Sequence, residues 1–94
     1  MKAHELLSDE TRWTRRTMAR QADGHECQTT DPLAQAWCLT GAVFRCYLTS
    51  AERAAAFNRL AHALAVPIDH IARWNDWHGR TIAEVQQVLH DLDL

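Results

Sequence analysis

Four polar side chains crowd one short stretch of the chain. Asn75, Asp76, His78 and Arg80 stand in "RWNDWHGRTIAEV", among Trp74, Trp77 and the start of a helical pattern. An amide, a carboxylate, an imidazole and a guanidinium this close together supply the donors, acceptors and titratable groups needed to hold a small ligand or move a proton. Such chemistry requires that they converge on a concave pocket, with Cys38 or Trp13 as lining. Trp77 points to a different use. An exposed tryptophan anchors protein contacts, although in so short a chain the same ring can serve to cover a thin core.

The remaining chemistry-bearing residues are scattered. The six histidines form no i, i+4 pair, and the three cysteines contain no C-x-x-C. A zinc site would have to be assembled from Cys27, Cys38, Cys46 and a histidine, whereas structural zinc sites show close ligand pairs. Cys38 follows Trp37 in an apolar run and suits a small buried hydrophobe better than an activated thiolate. Glycine-rich phosphate loops, G-x-S-x-G and H-E-x-x-H are absent, and the acids do not pair. No catalytic, cofactor-binding or metal-ligating residue is assigned, and no cofactor is implied.

Arg12, Arg15, Arg16 and Arg20 form the one basic cluster. Glu5, Asp9, Glu10, Asp23 and Glu26 balance it within the first thirty residues, and the whole chain carries a formal net charge of -2. The electrostatic footprint of a nucleic-acid binder is missing, so these arginines are expected on a solvated hairpin face, with Arg20 the one kept as a candidate surface residue.

The elements that must position these groups follow from patterning. Apolar residues make up 47% and charged residues 23%, as in a folded domain rather than a disordered chain. Residues 1–94 are one domain by length. Neither a signal peptide nor an apolar run long enough to span a bilayer is visible, and the odd cysteine count argues against a disulfide framework, so a cytoplasmic setting away from membranes is expected.

Lys2–Leu7 suits at most two helical turns. "ADGH" (Ala22–His25) carries the Asp-Gly signal of a two-residue hairpin loop, which would pair Ala22 with His25, Arg20 with Cys27 and Met18 with Thr29 in a hairpin over about residues 14–29. Asp31 and Pro32 then look like the cap and first position of a central helix, with Leu33, Trp37, Gly41, Phe44 and Leu48 as its stripe. Gly41 costs about 1 kcal/mol inside a helix, which is understandable if another backbone packs there. Thr49–Glu52 and Thr81–Glu84 are capping patterns for two further helices. The first would bury Ala54, Phe57, Leu60, Ala61 and Leu64, and the second Ile82, Val85, Leu89 and Leu92. Between them, "PIDHIARW" gives one or two turns with Ile68, Ile71 and Ala72 inward and Asp69–Arg73 as an outer pair. Asn75 and Asp76 suit a local turn. The fold class is mainly α with a small β-hairpin (α+β), three to five helices packed around a central Trp37–Leu48 helix.

"WTRRTMARQADG", "WCLTGAVFR" and "IARWNDWHGRTIAEV" occur in that order. Together they resemble an uncharacterised domain family of small bacterial and phage proteins, with the pattern W-T-x-G-x-x-A-R-D-x-x-G, W-C-L-x-G-A, A-x-W-N-D and R-T-x-x-E-V. The chain departs from it at Arg16, where the pattern has glycine, and at Gln21, where it has aspartate. The resemblance supports the hairpin over a helix and brings no activity. Its phage link implies a host-directed protein, such as a defence inhibitor.

The functional expectation is therefore a small cytoplasmic protein-interaction module with a protein partner or a second copy of itself, presenting Trp77, His78, Arg80, Asn75, Asp76 or Arg20. A ligand binder or enzyme at Asn75, Asp76, His78 and Arg80 is the alternative, and a metal-binding structural domain a further one.

Overall fold

A computed structural model describes residues 1–94. The architecture is mainly helical with one two-stranded antiparallel sheet, the α+β class that the patterning indicates. Five helices, α1 (Ala3–Leu6), α2 (Leu39–Cys46), α3 (Ser50–Leu64), α4 (Ile71–Asp76) and α5 (Ile82–Asp91), join strands β1 (Ala19–Gln21) and β2 (Ala34–Trp37). Helix α2 is the centre, packing on α1, α3, α4 and β2. Its Leu39, Ala42 and Val43 meet Leu6, Leu60, Ile71, Val85 and Leu89 in one core.

The central helix is shorter than the stripe suggests. It begins at Leu39, not near Leu33, because Asp31 spends its capping chemistry on a turn. The Asp31 carboxylate accepts from the Leu33 amide at 2.8 Å, and the Asp31 carbonyl accepts from the Ala34 amide at 3.0 Å. The chain leaves that turn extended, and Ala34–Trp37 becomes a strand because β1 offers it a partner. Leu33 and Leu48, the two ends of the expected stripe, are consequently exposed. Cys38 caps α2 instead, its sulfur accepting from the Gly41 amide at 3.2 Å. Gly41 does face another backbone: a Cβ built there would lie 1.9 Å from the Met18 carbonyl oxygen.

The hairpin turns where Asp-Gly predicts, but its loop has three residues. Gln21 bonds His25 across it, with the Gln21 amide donating at 2.8 Å. Arg20 sits opposite Glu26, and Gly24 takes φ +90°. A left-handed third residue is the usual solution for a three-residue loop. The register is therefore one residue off the expected Ala22–His25 and Arg20–Cys27 pairing, and a one-residue slip exchanges the two faces. The main partner of β1 is β2, with Ala19 opposite Trp37 and Arg20 opposite Ala36. β1 is thus bonded along both edges, and the sheet extends beyond residue 29.

Helix α3 buries most of its expected face, with Ala56 in place of Ala54. Ala56 and Leu60 are buried and Phe57, Ala61 and Leu64 pack on the core, while Ala54 is exposed. Ile71 is buried, but Ile68 and Ala72 are exposed, and Asp69 and Arg73 make no ion pair. In α5, Val85 and Leu89 are buried, with Ile82 and Leu92 packed beside them. Thr81 and Glu84 form the full reciprocal cap.

Helix α3 ends with Ala65 in the left-handed region, φ +55°. The amides of Ala65 and Val66 reach back to the carbonyls of His62 and Ala61, the paired bonds of a closure that normally uses glycine. Replacing Ala65 by glycine should stabilise the fold by about 1 kcal/mol, since a side chain in this conformation costs about that much. A thermal melt should show the midpoint raised by about 4–8 °C; a lowered midpoint would refute the assignment of strain.

Candidate functional site

Asn75 is fully buried at the end of α4, and it is a junction rather than a local turn residue. Its Oδ1 accepts from the Trp13 indole Nε1 at 2.7 Å and from the Leu39 amide at 3.0 Å. Its Nδ2 donates to the Thr14 carbonyl at 3.1 Å and to Asp76 Oδ1 at 3.0 Å. The Leu39 amide is one of the first-turn donors that α2 cannot satisfy internally. One side chain thus ties α4 to α2 and to the segment entering the hairpin. With all four hydrogen-bonding positions used, Asn75 has nothing left for a ligand.

The other expected site residues divide between two faces. Asp76 Oδ1 also accepts from the Arg16 amide at 3.0 Å. Asp76 and His78 line a cleft of about 400 Å³ beside the hairpin, together with Glu10, Trp13, Arg15, Arg16 and Arg20. Arg80 belongs to the other face. Its guanidinium lies 3.7 Å from the centre of the Trp74 ring and 5.2 Å from that of Trp77. Its Nε donates to the Trp74 carbonyl at 2.9 Å, and Nη1 pairs with Glu84 at 2.7 Å. That hydrogen bond from Arg80 holds the Glu84 carboxyl below the usual carboxylate range. Asn75, Asp76, His78 and Arg80 therefore do not converge: one is interior, two edge the cleft, and one is clamped on tryptophan.

Trp77 is 52% exposed, whereas Trp37 is buried and Trp13 and Trp74 pack against the core. It forms one wall of a shallow groove of about 500 Å³ whose other contributors are Val66, His70, Arg73, Trp74 and Arg80. The ring lies over Gly79, where a Cβ would come within 2.6 Å of it. Beside it, the His78 ring lies tilted at 49°, 5.5 Å between ring centres. Trp77 and His78 do face solvent together, while Arg80 is mostly covered.

Thiol chemistry has little support. Burial pushes the thiols of Cys27, Cys38 and Cys46 upward from their ordinary value, so all three are poorer nucleophiles at neutral pH. All are free. No group of three or more His, Cys, Asp and Glu side chains is placed to hold a metal ion. No helix is long and apolar enough to cross a membrane.

Arg15 and Arg16 belong to the basic cluster that the sequence assigns to a solvated hairpin face, where Arg20 alone is kept as a candidate surface residue. Arg16 has φ +68°, a left-handed backbone at the position where the resembled pattern carries glycine. That departure was the available signal, and it concerned backbone conformation before charge. Arg15 lies over the Trp13 ring at 4.5 Å and donates through Nη2 to the Arg80 carbonyl, a contact between residues far apart in sequence that leaves no periodic trace.

No curated protein and no solved structure matches the chain. A family model does, over residues 1–92, nearly the whole length of both the hairpin and the helices. The chain belongs to DUF6197, a family of unknown function.

Proposed function

We propose that the chain is a small cytoplasmic protein-interaction module whose contact surface is centred on Trp77. The observation that carries this reading is a tryptophan left half in solvent at the edge of an apolar groove, in a domain that packs its other three tryptophans. Exposed aromatic rings with an apolar pocket beside them are where binding energy concentrates. Arg73 and His70 border the groove, and Arg73 has no carboxylate partner. The partner segment is accordingly acidic with an apolar side chain, the first to meet Arg73 and the second to enter between Trp74 and Trp77. Inhibition of a host protein is the form of this role that we propose on the resemblance drawn from the sequence motifs. The three free thiols suit the reducing cytoplasm.

The test is affinity capture from a host lysate with mass spectrometry, comparing the native chain with Trp77→Ala and Arg73→Glu. Both substitutions are at exposed positions and should leave the thermal midpoint nearly unchanged. The reading requires a protein retained by the native chain, lost from both variants, whose bound segment is acidic. Capture of the same proteins by folded Trp77→Ala would refute it. A native dimer in light scattering that Trp77→Ala converts to monomer would make the partner a second copy.

A further inference from the structure

Three guanidinium groups, those of Arg15, Arg16 and Arg20, line the cleft beside the hairpin, and none has a carboxylate within ion-pair distance. Arg20 is nevertheless held firmly. Its Nε donates to Thr14 Oγ1 at 2.9 Å, Nη1 to the Gly24 carbonyl at 3.0 Å and Nη2 to the Arg15 carbonyl at 3.3 Å. All three acceptors are neutral. They fix the planar group without cancelling its charge, and of its five N–H donors two remain unused. A cation oriented in advance by its own fold loses little freedom when an anion arrives.

Arg15 adds charge to the wall of the cleft, its Nη2 held on the neutral Arg80 carbonyl. Arg16 is exposed at the rim, and its backbone is pinned by the bond from its amide to Asp76. Asp76 and Glu10 are the opposing charges in the lining. Oδ1 of Asp76 is already engaged by the Arg16 amide and Asn75 Nδ2. Three guanidiniums against two carboxylates leave the cleft cationic on a chain whose formal net charge is -2. His78 supplies a further imidazole at its edge, and Trp13 is its only apolar wall.

The geometry points to a ligand site: this cleft binds a small molecule through an oxyanion group, a phosphate ester or a carboxylate. Arg20 grips the oxygens with its free donors, Arg15 and Arg16 flank them, and His78 donates from the edge. The forked guanidinium suits either oxyanion. The site is separate from the Trp77 groove, with His78 lining the one and Trp77 the other.

Nuclear magnetic resonance titration of the full chain tests this, with inorganic phosphate and acetate added at matched ionic strength and chloride as the blank. Saturable shifts are expected at the amides of Thr14, Arg15, Arg16 and Arg20 and of Asp76, Trp77 and His78. Arg16→Gln, whose side chain makes no hydrogen bond to lose, and Arg20→Lys should each weaken binding about tenfold. Trp77→Ala should leave it unchanged, so this site and the proposed interaction surface fail or survive independently. Saturation by phosphate at the lower concentration would assign a phosphate ester, and by acetate a carboxylate. Shifts that only track those of chloride, or saturation unaltered in both arginine variants, would overturn the site.

Discussion

Gly41→Ala is expected to destabilise the domain by at least about 3 kcal/mol, the upper part of the range for overpacking a tight site. The added Cβ would sit 1.9 Å from the Met18 carbonyl oxygen and 2.9 Å from its carbon. Both are backbone atoms, so no rotamer change relieves the clash. That carbonyl also accepts the Cys38 amide bond at 3.2 Å, at the residue that caps α2. Moving it away would weaken the cap and the docking of β1 together. Alanine would regain about 1 kcal/mol of helix propensity over glycine, too little to compensate. A domain of this size holds only about 5–14 kcal/mol in total, so urea unfolding should show a much lower midpoint. An unchanged midpoint would mean that the strand does not approach the helix here.

Asn75→Ala should be similarly severe, about 3–5 kcal/mol, by a different mechanism. Nothing clashes; instead the Trp13 indole N–H, the Leu39 amide and the Thr14 carbonyl lose their shared partner. Each unsatisfied group in the interior costs about 1–3 kcal/mol, less where water can reach it. Asn75→Asp is the informative companion. It keeps an acceptor for Trp13 and Leu39, loses both donors, and sets a carboxylate against the Thr14 carbonyl and Asp76. If Asn75 matters only as an acceptor, Asn75→Asp will approach the native urea midpoint and Asn75→Ala will not. If it is a four-way junction, both variants fall well below it.

What was legible in the sequence was local. Thr81 and Glu84 announce their cap because both partners lie within one turn, and Val85 and Leu89 announce their face by helical spacing. Gly41 was readable because a glycine inside an apolar helix sacrifices propensity, and a close backbone approach is the usual compensation. The Asn75 junction was not readable, since its partners Trp13 and Thr14 are 62 and 61 residues away and no periodicity spans that gap. The same residue beside Asp76 imitates a turn. Asp31 and Pro32 have the chemistry of a helix start, and only the presence of β1 decides that the following residues extend as a strand. The hairpin register depended on whether Gly24 closes a two- or a three-residue loop, a distinction of one torsion that composition does not encode. The candidate cleft was half visible. Its arginines form an obvious cluster in sequence, but their separation from carboxylates in space could not be read from a charge count that balances.

The placement of Trp77 over Gly79 has a consequence for the speed and entropy of any encounter at that face. A solvent-exposed tryptophan normally samples several rotamers, and ordering a rotamer-rich side chain on association costs about 0.5–1.5 kcal/mol. Here the missing side chain at Gly79 gives the ring a seat, and the Trp74–Arg80 stack backs the groove beside it. Much of the ordering has been done during folding. On the proposed reading, a partner that fits the seated ring would meet a ring already oriented, and its association would be governed by the frequency of well-oriented collisions rather than by a wait for the ring to turn.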